Sequence, residues 1–244
     1  MGTSTGYKAP TTPQWQSVKR LVTQTATDGP LSPTDAARVV GRFLEANGGA
    51  RGIARGASDL GGGRSAQRVA GALAAFLSQV AIEGLPAALE RAGLAAYVGR
   101  PVSEILDALV GALGGPGETL EDVDARNALS RLRDQLLGEA TTADEVETIM
   151  AQAADSAALE ALLIDFFTYF FFEQFCRVFY ERLVEKIGDV AADAYLGAIM
   201  DYLRSALREQ QQTRDLREVD WASAQGKAIT DDLLEQALFV YGGA

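Results

Sequence analysis

Residues 162–188 read LLIDFFTYFFFEQFCRVFYERLVEKIG, and few architectures accommodate such a segment. At 3.6 residues per turn its apolar side chains cover most of a helix circumference, far more than the single stripe of a surface helix. Asp165, Glu173, Arg177 and Glu181, with Glu160 just ahead, interrupt it too often for the roughly 20 apolar residues that span a bilayer. The segment therefore reads as the central helix of a bundle. A partner-binding or oligomer face is the other use of so apolar a helix.

The rest of the chain carries the same period, and no run of alternating β-branched residues stands between turn signals. The expected fold class is all-α, a multi-helix bundle with a flexible N-terminal tail. Of the 244 residues 48% are hydrophobic, enough for a sizeable core. A first helix is expected from Pro13, capped by Thr12, with Trp15, Val18, Leu21 and Val22 on one face and its end before the TDGP turn. Ser32-Pro33 starts a second through Val39, Val40, Phe43 and Leu44, stopped by Asn47-Gly48.

The run GGARGIARGASDLGGGRSAQR follows, then a helix bearing Val69, Leu73, Phe76, Leu77 and Val80 that Gly84 and Pro86 should break. A helix near Pro101 carries Ile105, Leu106, Leu109 and Leu113 up to the GGPG turn. Thr119 caps an acidic helix start running towards Leu137, and Thr142 with Glu145 forms a capping box. After Gly188 come helices bearing Tyr195, Leu196, Ile199 and Leu203, then Ile229, Leu233, Leu234 and Leu238. Trp221 should dock the linker between them. The organisation expected is a flexible tail at 1–12, a helical half at 13–140 with a Gly/Arg-rich loop at 48–65, and a second half at 141–244 around the aromatic-rich helix.

Charge and residue usage exclude several functions. With 33 acidic against 22 basic side chains the formal charge is -11, which repels a phosphate backbone and argues against direct nucleic-acid binding. The absence of histidine removes the usual general base, the Ser-His and Cys-His pairs and the commonest zinc ligand. The single Cys176 suits a reducing compartment, and its aromatic neighbours raise its pKa and make it inert. The N-terminus lacks a basic n-region and an apolar h-region, and Gly6 stands where the myristoylation pattern wants Ser or Thr. A cytoplasmic protein with no membrane association is the expectation.

Two clusters merit a chemical reading. Arg51, Arg55, Arg64 and Arg68 stand among glycines that let backbone amides turn towards an anion, which makes them candidate contacts for a partner or an anion. No Walker A pattern and no preceding strand accompany them, and their other use is pairing with the acidic surface of this chain or a partner. Glu118, Glu121, Asp122 and Asp124 have the hard oxygen ligands magnesium prefers. They also fall in the first turn after Thr119, where acidic residues offset the helix macrodipole without a metal, so neither metal nor cofactor is expected.

The opening MGTSTGYKAPTTPQW is small and polar, and removal of Met1 would expose the amine of Gly2. The MGTS start, Gly-Gly-Arg-Ser-Ala-x-Arg at 62–68, Gly99-Arg100-Pro101 and GGPGETLEDVDARNAL together resemble the QatB family of four-gene Qat anti-phage systems. The likeness covers roughly the first half of the chain, while the second half matches only in helical character. The resemblance implies a bacterial defence protein without catalytic activity, working beside an ATPase, a QueC-like enzyme and a TatD-like nuclease. QueC-like enzymes make a 7-deazaguanine nitrile from a carboxylated precursor, and defence versions are associated with attaching a deazaguanine to a partner's N-terminal glycine. Gly2 is the position matching such an acceptor. The reading that follows is an interaction subunit whose helices bind the ATPase and whose tail enters the QueC-like active site. A structural adaptor whose tail is never modified is the alternative, and a carboxylate-magnesium enzyme is a third class.

Overall fold

A computed structural model describes residues 10–54, 60, 63–208, 216 and 219–242. Its described residues form eleven α-helices, one 3-10 turn and no strand. The first two helices begin where cap chemistry requires. Thr12 Oγ1 accepts from the Trp15 N–H at the start of α1 (Pro13–Thr27), and Ser32 Oγ accepts from the Asp35 N–H at 3.1 Å at the start of α2 (Pro33–Ala46).

Part of the stretch expected as a loop is helical. Gly49–Ala54 form α3, and the next helix, α4 (Arg64–Glu83), already begins at Arg64. One apolar side chain accounts for the difference: Ile53 is fully buried, and its carbonyl accepts from the Gly63 N–H at 2.8 Å. Gly84 does end α4, at φ +84°, yet the chain resumes at once as α5 (Leu85–Arg91). Pro86 lies in the first turn of α5, where a missing N–H costs nothing, so the signal for a break is also a start.

A 3-10 turn at Ala95–Tyr97 leads to α6 (Val102–Leu113) and α7 (Leu120–Leu137), the latter opened by a reciprocal Thr119/Asp122 capping box. A second box, Thr142/Glu145, opens α8 (Ala143–Ala153). The aromatic segment lies in α9 (Ser156–Ile187), whose 32 residues make a rod of about 48 Å. The last helices are α10 (Asp189–Arg208) and α11 (Ala224–Gly242).

Helix α9 is central. It packs against α1, α4, α7, α8, α10 and α11, and Phe166, Phe167, Phe170, Phe171, Phe175 and Phe179 are all at most 1% exposed. Phe43 of α2 meets Trp15, Phe171, Phe175 and Phe179 edge-on, with ring centroids 5.1–5.9 Å apart. One hydrophobic cluster runs from Trp15 to Tyr241 and crosses the 140/141 position without interruption. A charge pair reaches into this core where Arg177 of α9 forks onto Asp124 of α7 at 2.8 and 3.2 Å and also donates to the Leu60 carbonyl.

Candidate functional site: a cleft between α4 and α11

The start of α4 is held in place by its neighbours rather than by a cap of its own. Gly63 carries no capping side chain, and a Cβ there would fall 2.2 Å from the buried Leu234 Cδ2, so any larger residue would force the Leu234 side chain to move. The donors of the first turn are met by α7. The Ser65 N–H donates to Glu121 Oε1 at 2.6 Å, and Ser65 Oγ and Arg68 Nη2 both donate to Asp122 Oδ1, at 2.7 and 2.8 Å.

The acidic cluster thus caps two helices at once, its own and α4. Its members titrate differently for that reason. Burial pushes Glu121 upward against the pull of the Ser65 bond. Asp122 is buried too, but the bonds from Ser65 and Thr119 and the charge of Arg68 outweigh that and hold it below the usual range. Asp124 faces away, towards Arg177, and burial raises it to about 7 despite that cation. Among the described residues no group of three or more Asp, Glu, Cys or His side chains is arranged to hold a metal ion.

Between the N-terminal half of α4 and the start of α11 lies a cleft of about 720 Å³. Arg64, Gln67 and Arg68 line one side; Trp221, Ser223, Lys227, Thr230 and Asp231 line the other. Two of the four arginines singled out from sequence therefore share one site. Arg51 does not: its guanidinium extends to Glu235 of α11 at 3.0 Å, with the arginine side chain 80% exposed. Arg55 and Gly2 lie outside the described residues. Cys176 is half-buried, and burial with the nearby Glu173 charge pushes its thiol up to about 12, far from a nucleophile's range.

Sequence reasoning placed Trp221 in a linker and passed over Lys227 and Asp231. Trp221 is indeed buried, in the turn before α11, but that turn forms a wall of the cleft. The available signal was a lone tryptophan in the polar stretch leading to α11. Its partners across the cleft come from the first third of the chain, which no local pattern reveals.

With this helical frame in view, the family can be stated. Residues 48–241 match the model of the family described as QatB, Qat anti-phage system associated protein QatB. The chain belongs to that family and is a protein of an anti-phage defence system. The match corrects the expected extent of the likeness: it runs through the second half, whereas the MGTS start and helices α1 and α2 precede it. No curated protein and no solved structure matches the chain. Among the described residues no helix is long and apolar enough to cross a membrane.

Proposed function

We propose that this chain is a non-catalytic subunit of its Qat system, with Gly2 serving as the acceptor amine for a deazaguanine-type adduct installed by a QueC-like partner. The helical body binds the system's ATPase. One observation carries the reading: among the described residues Trp15 is the first buried in the core, and Pro10 and Thr11 just ahead of it are tied to α1. There Lys19 Nζ donates to the Pro10 carbonyl at 2.8 Å and Gln16 Nε2 to the Thr11 carbonyl at 3.1 Å. The nine residues before Pro10 can reach at most about 30 Å, enough to enter an active-site cleft on a partner. Their small side chains at Thr3, Ser4 and Thr5 suit a narrow entrance.

The chemistry of the acceptor supports the same reading. An α-amino group with a pKa of about 7.7–8.0 is partly neutral near physiological pH, unlike a lysine amine, and glycine has no side chain to obstruct it. The test is intact-mass measurement of the chain co-expressed with its neighbouring gene products, with and without the QueC-like one. An added mass on the N-terminal peptide, lost when Gly2 is replaced by a bulky residue or preceded by an extra one, is expected. An unmodified N-terminus in the presence of an active partner set would overturn the proposal and leave the adaptor reading.

A further inference from the structure

Seven large apolar side chains are exposed among the described residues, and four of them, Leu120, Val123, Tyr180 and Val190, gather at one end of the bundle. Helix register puts them there. Arg177 pairs with Asp124 and Arg131 with Glu173, so α9 and α7 run antiparallel. About one turn beyond the Arg177–Asp124 pair, α7 carries Leu120 and Val123 at its N-terminus and α9 carries Tyr180. Gly188, at φ +80°, ends α9, and Val190 lies in the first turn of α10. Helix α10 returns along α9: its Arg204 donates to the Tyr169 hydroxyl, while Asp193 is close enough to the Cys176 thiol, one turn before Tyr180, to act on its charge.

The fold does not use these side chains. Apolar groups stabilise by leaving water, and the first turn of a helix favours acids over leucine or valine. Single exposed apolar residues are ordinary, but four where three helix ends meet mark an interaction site. The charges around them add a second observation. Glu118, Glu181, Asp189 and Asp193 are all exposed, and among the described residues none of the four closes an ion pair. Elsewhere exposed acids such as Asp35, Glu45 and Asp107 are each held by an arginine. The cations of the same stretch belong to another face of α9: Arg182 donates to Thr23 of α1, and Lys186 follows one turn on.

We propose that this end of the bundle is the docking surface for a partner protein presenting an apolar ridge flanked by lysine or arginine side chains. The inference rests on the reading that the helical body binds the ATPase of its system, and it names the face that does so. Tyr180 offers the large, amphipathic ring typical of interface anchors. The unpaired carboxylates attract a basic partner, and they repel both a second copy of this face and an anionic membrane surface.

Binding of the full-length chain to the purified ATPase subunit, measured by interferometry at low and at high salt, tests it. Tyr180→Lys/Val190→Lys should weaken binding by about tenfold or more. Glu181→Gln/Asp193→Asn should weaken it at low salt and flatten its salt dependence. Phe239→Lys, on an exposed side chain of α11, should leave it unchanged. All three variants should keep the melting temperature of the parent, because the replaced side chains are exposed. Parent-like binding by the first two variants would overturn this inference and leave the ATPase reading intact, whereas a parent chain that does not bind the ATPase would overturn both. A dimer of the isolated chain, or binding to vesicles rich in anionic lipid, that Tyr180→Lys/Val190→Lys removes would assign the face to a second copy or a membrane and overturn the proposal.

Discussion

Among the described residues Phe43 holds the densest aromatic contact, with four rings edge-on around it and no exposed surface of its own. Phe43→Ala should cost about 3–5 kcal/mol, read as a lowered urea midpoint, because the rings around it belong to two different helices, α1 and α9, and cannot all collapse into the void. An unchanged midpoint would show that the site repacks. Asp124 makes a different prediction. It is 2% exposed and its pKa is raised to about 7, chiefly by burial, so the folded chain holds that proton more tightly than the unfolded one. Its contribution to stability is complete below the ordinary carboxylate pKa and is lost as pH rises through about 7. Melting measured from pH 4 to 8 should fall less steeply in Asp124→Asn than in the parent, and parallel curves would refute the assignment. Neither environment was legible beforehand: the sequence shows Asp124 as one acid among several after Thr119, and only the long-range seat of Arg177 distinguishes it.

Where helices start is a matter of local chemistry, and there the sequence was readable. Thr12, Ser32, Thr119 and Thr142 all cap the helices their side chains predict, since an N-cap acts on amides two or three residues away. Where local signals conflict with packing, they misled: a Gly-rich run conceals α3 because one buried isoleucine decides it, and α5 hides behind a proline. The cap of α4 was illegible for another reason, since its acceptors lie on α7. Asp122 accordingly serves three donors on two helices, its own Thr119 N–H together with Ser65 Oγ and Arg68. Asp122→Ala should therefore cost more than the roughly 0.5–2 kcal/mol of an ordinary lost N-cap, and hydrogen exchange should quicken in the first turns of both α4 and α7. Exchange that quickens in α7 alone would mean that α4 holds its start without Asp122.

The family match and the folded unit have different boundaries. The match begins at residue 48, yet α1 and α2 lie before it and supply Trp15, Val18, Val22, Val39, Val40 and Phe43 to the shared core. A chain of residues 48–241 would leave Phe171, Phe175 and Phe179 without the ring that organises them and expose a broad apolar face of α9. It should be insoluble or molten, with dye-accessible apolar surface and no sharp melting transition. Removal of residues 2–9 is the opposite case. The cap at Thr12, the anchor from Lys19 to Pro10 and every described residue of the hydrophobic cluster remain, so the melting temperature should match that of the intact chain while any N-terminal adduct disappears. A cooperative melt for residues 48–241 would show that the first two helices are accessory to the core. A loss of several degrees on removing 2–9 would show that the tail contributes to the fold, and would weaken the case for its being held out to a modifying enzyme.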